Sequence, residues 1–284
     1  MHVWWLLGWA FLMSGLSGLA RAETPLIDHS QPRVAIIIDD LGDQWRAGKR
    51  ALALPGPLTY AILPHTAYSV RLANRAHDLG KEVMLHLPMQ SMEAKALGQG
   101  GLRLEMDRER FIQTVREDIA AIPHLIGINN HMGSLLTQHP GHMQWLMEEI
   151  KRQGDLFFLD SRTTHLTVAE KVAAETGVPN SRRDVFLDDD PAPEAIAHQF
   201  ERLITKAKRK GSAIGIGHPY ESTMQLLEVL LPTLAARNIQ LVPVSALIQS
   251  GDTPLLRYAE GEKEDKAHLV LLGDELHAPE RVIK

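Results

Sequence analysis

The chain has no cysteine. That absence excludes disulfides, thiolate metal sites and cysteine nucleophiles, so any bound metal must be held by histidine and carboxylate. It also suits passage through an oxidising compartment. Basic blocks are nearly absent as well. The one cluster, Lys206 to Lys210, falls at an expected helix end, where cations favour the helix dipole. With a net charge of −5, nothing in the composition points to nucleic acid. No P-loop, dinucleotide fingerprint or G-x-S-x-G elbow occurs, and Ser134 has none of the surroundings of a serine nucleophile. There is no internal repeat.

What is present begins with an apolar start. Trp4 to Leu19 is mostly apolar and richer in small residues toward its end, and Ala20-Arg21-Ala22 then gives an A-x-A cleavage pattern. Residues 1–22 read as a signal peptide, although no Lys or Arg precedes the apolar stretch. That stretch is short for a membrane span, and an uncleaved anchor is the alternative. Either way the body of the protein is expected outside the cytoplasm, periplasmic or secreted. With the signal removed, no stable membrane span is expected. Residues 31–250 are expected to form one domain, with a polar tail over 251–284.

Short apolar, β-branched runs alternate with amphipathic stretches. The runs are Arg33 to Asp40, Leu58 to Leu63, Glu82 to Leu87, Leu125 to Asn129, Leu156 to Asp160, Val185 to Leu187, Ser212 to Ile216 and Ile239 to Val244. Near-continuous apolar strands imply burial on both faces, the habit of parallel sheets. Helical patterns lie over Ser69 to Leu79, Asp107 to Ile122, His142 to Gln153, Pro193 to Arg209 and Thr223 to Arg237. The alternation predicts an α/β fold, a seven- or eight-stranded, mostly parallel β/α barrel. An open doubly wound sheet has the same periodicity.

The chemistry collects where the strands end. Those ends read Asp39-Asp40, His86, Asn129-Asn130-His131, Asp160-Ser161-Arg162, Asp188-Asp189-Asp190 and His218. Barrel enzymes carry their reactive groups at this rim. Adjacent carboxylates after Ile36-Ile37-Ile38 are costly unless a cation or a shared proton offsets them, though two acids in a turn also serve as caps. Imidazole and carboxylate together suit zinc and other late first-row metals, which makes Asp40, His86 and His131 a candidate ligand set. His218 follows Gly215-Ile216-Gly217 and is a candidate general acid, a further ligand, or a cap on the Pro219 turn. Asp160 is a candidate for orienting a catalytic group or binding substrate, and Arg162 for offsetting the acidic rim by pairing with Asp39 or Asp160. The run Asp188 to Asp190 precedes Pro191 and Pro193 and reads as a loop leading into a helix.

These segments resemble a known family. Ile37-Ile38-Asp39-Asp40-Leu41-Gly42, His86-Leu87-Pro88-Met89, Asn129-Asn130-His131-Met132-Gly133-Ser134, Phe158-Leu159-Asp160-Ser161-Arg162-Thr163 and Gly215-Ile216-Gly217-His218-Pro219 are similar to the divergent polysaccharide deacetylases, over about Arg33 to Ser250. That family is a remote branch of the polysaccharide deacetylases, whose fold is an irregular β/α barrel. The resemblance implies that Asp39 is the base, Asp40 a metal ligand and His218 the acid that protonates the leaving amine. The wider superfamily draws two histidines from one H-x-x-x-H-like segment. Here His86 is followed by Leu87, Pro88, Met89 and Gln90, so His131 is expected to supply the second imidazole.

The implied cofactor is a divalent metal, zinc foremost, and the implied substrate an N-acetylated sugar of a polysaccharide, which loses its acetyl group. An inactive carbohydrate- or envelope-binding barrel is the alternative. A glycoside hydrolase using Asp39 and Asp160 is a third reading. No oligomeric state can be read from the sequence.

Overall fold

The first apolar run forms β1 (Arg33–Leu41), buried along almost its whole length. A strand that is apolar on both faces needs cover on both, and the units that follow supply it. They are α1 (Trp45–Leu52), β2 (Thr59–Ile62), α2 (Ser69–Asp78), β3 (Glu82–Met89), α3 (Arg108–Ala121), β4 (Leu125–Met132), α4 (Pro140–Gln153), β5 (Phe157–Asp160), α5 (Ala169–Thr176), β6 (Asn180–Arg182), β7 (Val185–Phe186), α6 (Pro193–Lys210), β8 (Ser212–Gly217), α7 (Glu221–Leu230), α8 (Thr233–Ala236) and β9 (Gln240–Leu241). The structure, a computed structural model, describes residues 31–248. The signal-peptide reading of residues 1–22 and the polar tail over 251–284 lie outside the described residues. No described helix is long and apolar enough to cross a membrane.

Every strand pairing is parallel. The order is β6-β5-β4-β3-β2-β1-β8-β7, with β9 beside the start of β1. β6 and β7, consecutive in the chain, stand at opposite ends of this path, so the eight-stranded barrel is irregular and open between them. The architecture is the β/α barrel that the strand–helix alternation implied.

Two apolar layers separate along β1. Val34, Ile36 and Ile38 belong to the large cluster that packs the strands against the helices. Ala35 and Ile37 belong to a smaller one with Ala61, Met84, Phe157, Leu159, Ile214 and Ile216. That smaller cluster fills the barrel, and Val242, Val244 and Leu247 join it from below. Side chains of a strand alternate between faces. The inward series Ala35, Ile37 therefore continues to Asp39, the inward Met84 to His86, and the inward Ile214, Ile216 to His218.

β4 reaches the same result through an irregularity. The β3–β4 register slips between Val83 and Met84, where Val83 pairs with Leu125 but Met84 pairs with Gly127. The extra residue shifts the alternation by one. Beyond it Asn129 stands beside His86 and His131 beside Pro88. Gly127 has to be small, because a Cβ there would meet the Phe157 ring at 2.4 Å.

The structure adds elements that the periodicity did not reveal. α1 and α5 are eight residues each. β6 is a three-residue edge of Asn, Ser and Arg. The helix expected over Thr223 to Arg237 is broken into α7 and α8 at Pro232, which has no backbone N–H to continue it.

Candidate metal centre at the barrel mouth

The geometry starts with Asp40. Its alternation partners Ile36 and Ile38 face the helices, so a regular strand would aim it away from the barrel. It adopts φ 57 instead, a left-handed conformation costing roughly 1–2 kcal/mol for an L-residue. That turn brings the carboxylate to the mouth. Asp40 Oδ1 lies 3.1 Å from His86 Nε2 and 2.9 Å from His131 Nδ1, and those two ring nitrogens are 3.1 Å apart. The three expected ligands thus converge.

The hydrogen bonds around them fix where the protons are. Asn129 Nδ2 donates to Asp39 Oδ1 at 2.9 Å. A carboxylate only accepts, so the amide oxygen must face His86, whose Nδ1 is 2.8 Å away. Nδ1 of His86 therefore carries the hydrogen, and in the neutral ring Nε2 offers a bare lone pair to the cluster. Burial alone would lower the His86 pKa, but Asp39 and Asp40 raise it to about 9. Burial works to raise the pKa of Asp40, and the His131 and His86 imidazoles outweigh it, holding the carboxyl well below the usual range.

Asp39 is almost fully buried in the barrel. Its Oδ2 is 3.7 Å from His86 Nε2. Burial raises its pKa against the opposing charges of His86 and His218 and the Asn129 bond. On the far side His218 is anchored by Asp188, whose Oδ1 is 2.9 Å from His218 Nδ1. Asp188 Oδ2 accepts from the His218 backbone N–H at 2.6 Å and from Thr223 Oγ1 at 2.7 Å. His218 Nε2 then faces the mouth, 3.9 Å from Asp40 Oδ2. Burial would push the His218 pKa down, and Asp188, with Asp39 and Asp40, raises it instead.

Asp160 is not brought to this group. It shares the parity of Phe158, which packs against the helices, and it orients its own loop. Its Oδ1 accepts from the Arg162 backbone N–H at 2.8 Å and its Oδ2 from Thr167 Oγ1 at 2.8 Å. Arg162 thus meets Asp160 through its backbone. The half-buried guanidinium at this rim is Arg183, which donates to the Ser161 and Arg162 carbonyls and acts electrostatically on Asp39 and Asp160. Strand parity counts against a glycosidase pair of Asp39 and Asp160: the one continues the inward series of β1, the other the helix-facing series of β5.

Sequence reasoning missed Asn129, Arg183 and Asp188. Reading Asp188 as part of a helix-leading loop is corrected by its burial and its three bonds, two to His218 and one to Thr223. Its signal was available: it is the first acid after the apolar Val185-Phe186-Leu187.

The residues present suit a cation. Asp40 Oδ1 is buried, and no donor reaches it in hydrogen-bonding geometry. With both rings neutral, the carboxylate and imidazole lone pairs would face one another, and a cation would offset them as protons otherwise must. Ligand atoms about a tetrahedral zinc at ~2.0–2.2 Å would stand roughly 3.4 Å apart, close to the spacing here.

The cluster opens into a cleft of about 640 Å³, bordered by Asp43, Leu63 to Ala67, Ala96 to Gln99 and Tyr220. Fold and site together define a β/α-barrel protein with a candidate metal centre and a His–carboxylate pair, His218 with Asp188, at its carboxyl rim. Comparison identifies the family. The chain belongs to the divergent polysaccharide deacetylases, whose pattern it matches over residues 36–248. It is 38% identical to the uncharacterized protein YibQ of Escherichia coli, over 76% of this chain and 67% of that one. It is 37% identical to an uncharacterized protein of Haemophilus influenzae, over 77% of each. The crystal structure of the uncharacterized protein ATU2773 from Agrobacterium tumefaciens shares the fold, with a TM-score of 0.74 at 23% identity, covering 76% of this chain and 89% of that one.

Proposed function

We propose that this protein is an exported, metal-dependent hydrolase that removes acetyl groups from N-acetylated sugars of a polysaccharide. One observation carries the reading: an Asp-His-His cluster suited to a cation lies between a buried carboxylate, Asp39, and a carboxylate-anchored imidazole, His218. Export rests on the apolar start and the A-x-A pattern at residues 20–22.

Asp40, His86 and His131 would hold the ion, with zinc the metal that this donor set favours. When bound, the ion supplies Lewis-acid activation of water and of the acetyl carbonyl. The chain's own groups handle the protons. Asp39, raised by burial, takes one from the attacking water. Asn129 keeps that carboxylate turned to the mouth. His218, raised by Asp188, gives one to the departing sugar nitrogen. Acetate and a free amino sugar result.

The test is acetate release from an N-acetylglucosamine polymer by purified protein, before and after chelation and after adding zinc back. Release that follows the zinc, and is lost in Asp39→Asn while the melting temperature holds, supports the reading. A folded, zinc-loaded protein that releases no acetate overturns it in favour of a binding barrel. Release of reducing sugar instead of acetate would mean glycoside hydrolysis.

A further inference from the structure

A second His–Asp pair lies on the wall of the same cleft and is not part of the ion cluster. His65 follows β2 and borders the cleft, and its Nε2 is 2.8 Å from Asp118 Oδ1 on α3. Asp118 is completely covered, and its Oδ2 has no partner. Among the described residues His65 Nδ1 has none either.

Holding that one imidazole carries three local costs. His65 has φ 56, the left-handed region in which a glycine or asparagine would sit more easily. Asp118 is buried with one oxygen unsatisfied. Gly100 must lack a side chain, because a Cβ would come within 2.1 Å of Asp118 Oδ1. A turn that only had to connect β2 to α2 needs none of these. Backbone strain kept at a cleft wall points to a ligand.

The cleft indicates which ligand. Among the described residues that line it there is no Lys or Arg, and Asp40 and Asp43 are carboxylates, so away from the ion cluster it has no permanent cation to pair with an anionic ligand. It offers instead isolated polar groups and Tyr220, an exposed ring that stacks on His218. Its volume lies in the range of ~300–1,000 Å³ that takes a drug-sized molecule, well beyond a single acetyl group.

We infer that His65, held by Asp118, binds the sugar next to the one that reacts, so that the cleft takes a neutral glycan of at least two N-acetylated residues. This rests on the deacetylase reading above. The imidazole is a hydrogen-bond partner for a hydroxyl or an acetamido group. Asp118 is a positioning residue that fixes the ring.

The experiment uses zinc-loaded full chain and compares kcat/KM for acetate release from N-acetylglucosamine and from tetra-N-acetylchitotetraose. The wild type should favour the tetramer. His65→Gly removes the ring and accepts the left-handed backbone. It should cut the tetramer-to-monomer ratio about fivefold or more, the size of one lost hydrogen bond, and mainly through KM. Asp118→Asn should shift the ratio in the same direction by less. Equal loss on both substrates would mean that the pair only clamps the loops, and a ratio unchanged from wild type would mean that it binds nothing. Either result overturns the inference and leaves the deacetylase reading intact. A wild type that releases acetate from neither substrate overturns the deacetylase reading and this inference with it.

Discussion

Asn129 joins Asp39 to His86: its amide nitrogen is 2.9 Å from the buried carboxylate and its amide oxygen 2.8 Å from the imidazole. One side chain therefore sets both the direction of the proposed base and the tautomer of a proposed ligand. Asn129→Leu keeps similar bulk and removes both bonds. The His86 ring is then free to carry its hydrogen on Nε2, where it blocks the ion. Loss of such supporting groups typically costs about 10–100-fold in metal affinity. Zinc titration calorimetry of the variant should show a drop of that size, and unaltered affinity would remove Asn129 from the site.

Asp188→Asn acts on the opposite side. The carboxylate raises the His218 pKa against the lowering effect of burial. An acid must be protonated to donate, so a raised pKa extends activity toward higher pH. With an amide in place of the carboxylate the alkaline limb of kcat should move to lower pH, and the rate at pH 8 should fall by roughly tenfold or more. A limb that stays in place would mean that another group supplies the proton.

Much of this was legible, and the gaps have physical causes. Each apolar run marked a strand, and six of the eight ended in the residue types that gather at the mouth. Which residues face inward was not legible, because β1 is apolar on both faces and gives no sign of its polarity. Asp160 therefore looked equivalent to Asp39, although one continues the helix-facing series and the other the barrel series. The left-handed turn at Asp40 and the register slip in β4 each re-aim a side chain through the backbone. No composition signal announces either. β6 escaped because a three-residue edge strand of Asn, Ser and Arg has no apolar pattern. Asp118 escaped because its role comes from a helix packed across a loop, far from any strand end.

Asp118 also gives a pH dependence. Burial, with Glu117 nearby, pushes its carboxyl up to about 8 from an ordinary 3.8. The sign follows from proton counts. Between about pH 4 and about 8 the folded chain keeps the proton while the unfolded chain releases it. Stability from this group is therefore full below the unfolded value and is lost as the pH rises through the folded one. Asp118→Asn should flatten that decline. Melting curves from pH 4 to pH 9 should show a wild-type fall of several degrees that the variant lacks, a few kcal/mol at most on a domain this size. Parallel curves for the two proteins would mean that Asp118 is ionised throughout.

The floor beneath the cluster offers a test of packing. A Cβ at Gly127 would stand 2.4 Å from the Phe157 ring inside the barrel, and Phe157 is almost fully buried. Gly127→Ala must therefore displace either the ring or β4. Overpacking of this kind costs about 1–3 kcal/mol, or roughly 2–12 °C in melting temperature. The strain has a direction as well. Asn129 and His131 lie on the same inward face of β4, two and four residues further along, so a displaced strand loosens the ion cluster and weakens zinc binding. Phe157→Leu empties the space that the methyl group needs. The double variant should therefore recover much of the stability and the zinc affinity that Gly127→Ala loses, a positive coupling that two independent sites would not give. Additive losses would place the Phe157 ring elsewhere, and with it the inward face on which the site is built.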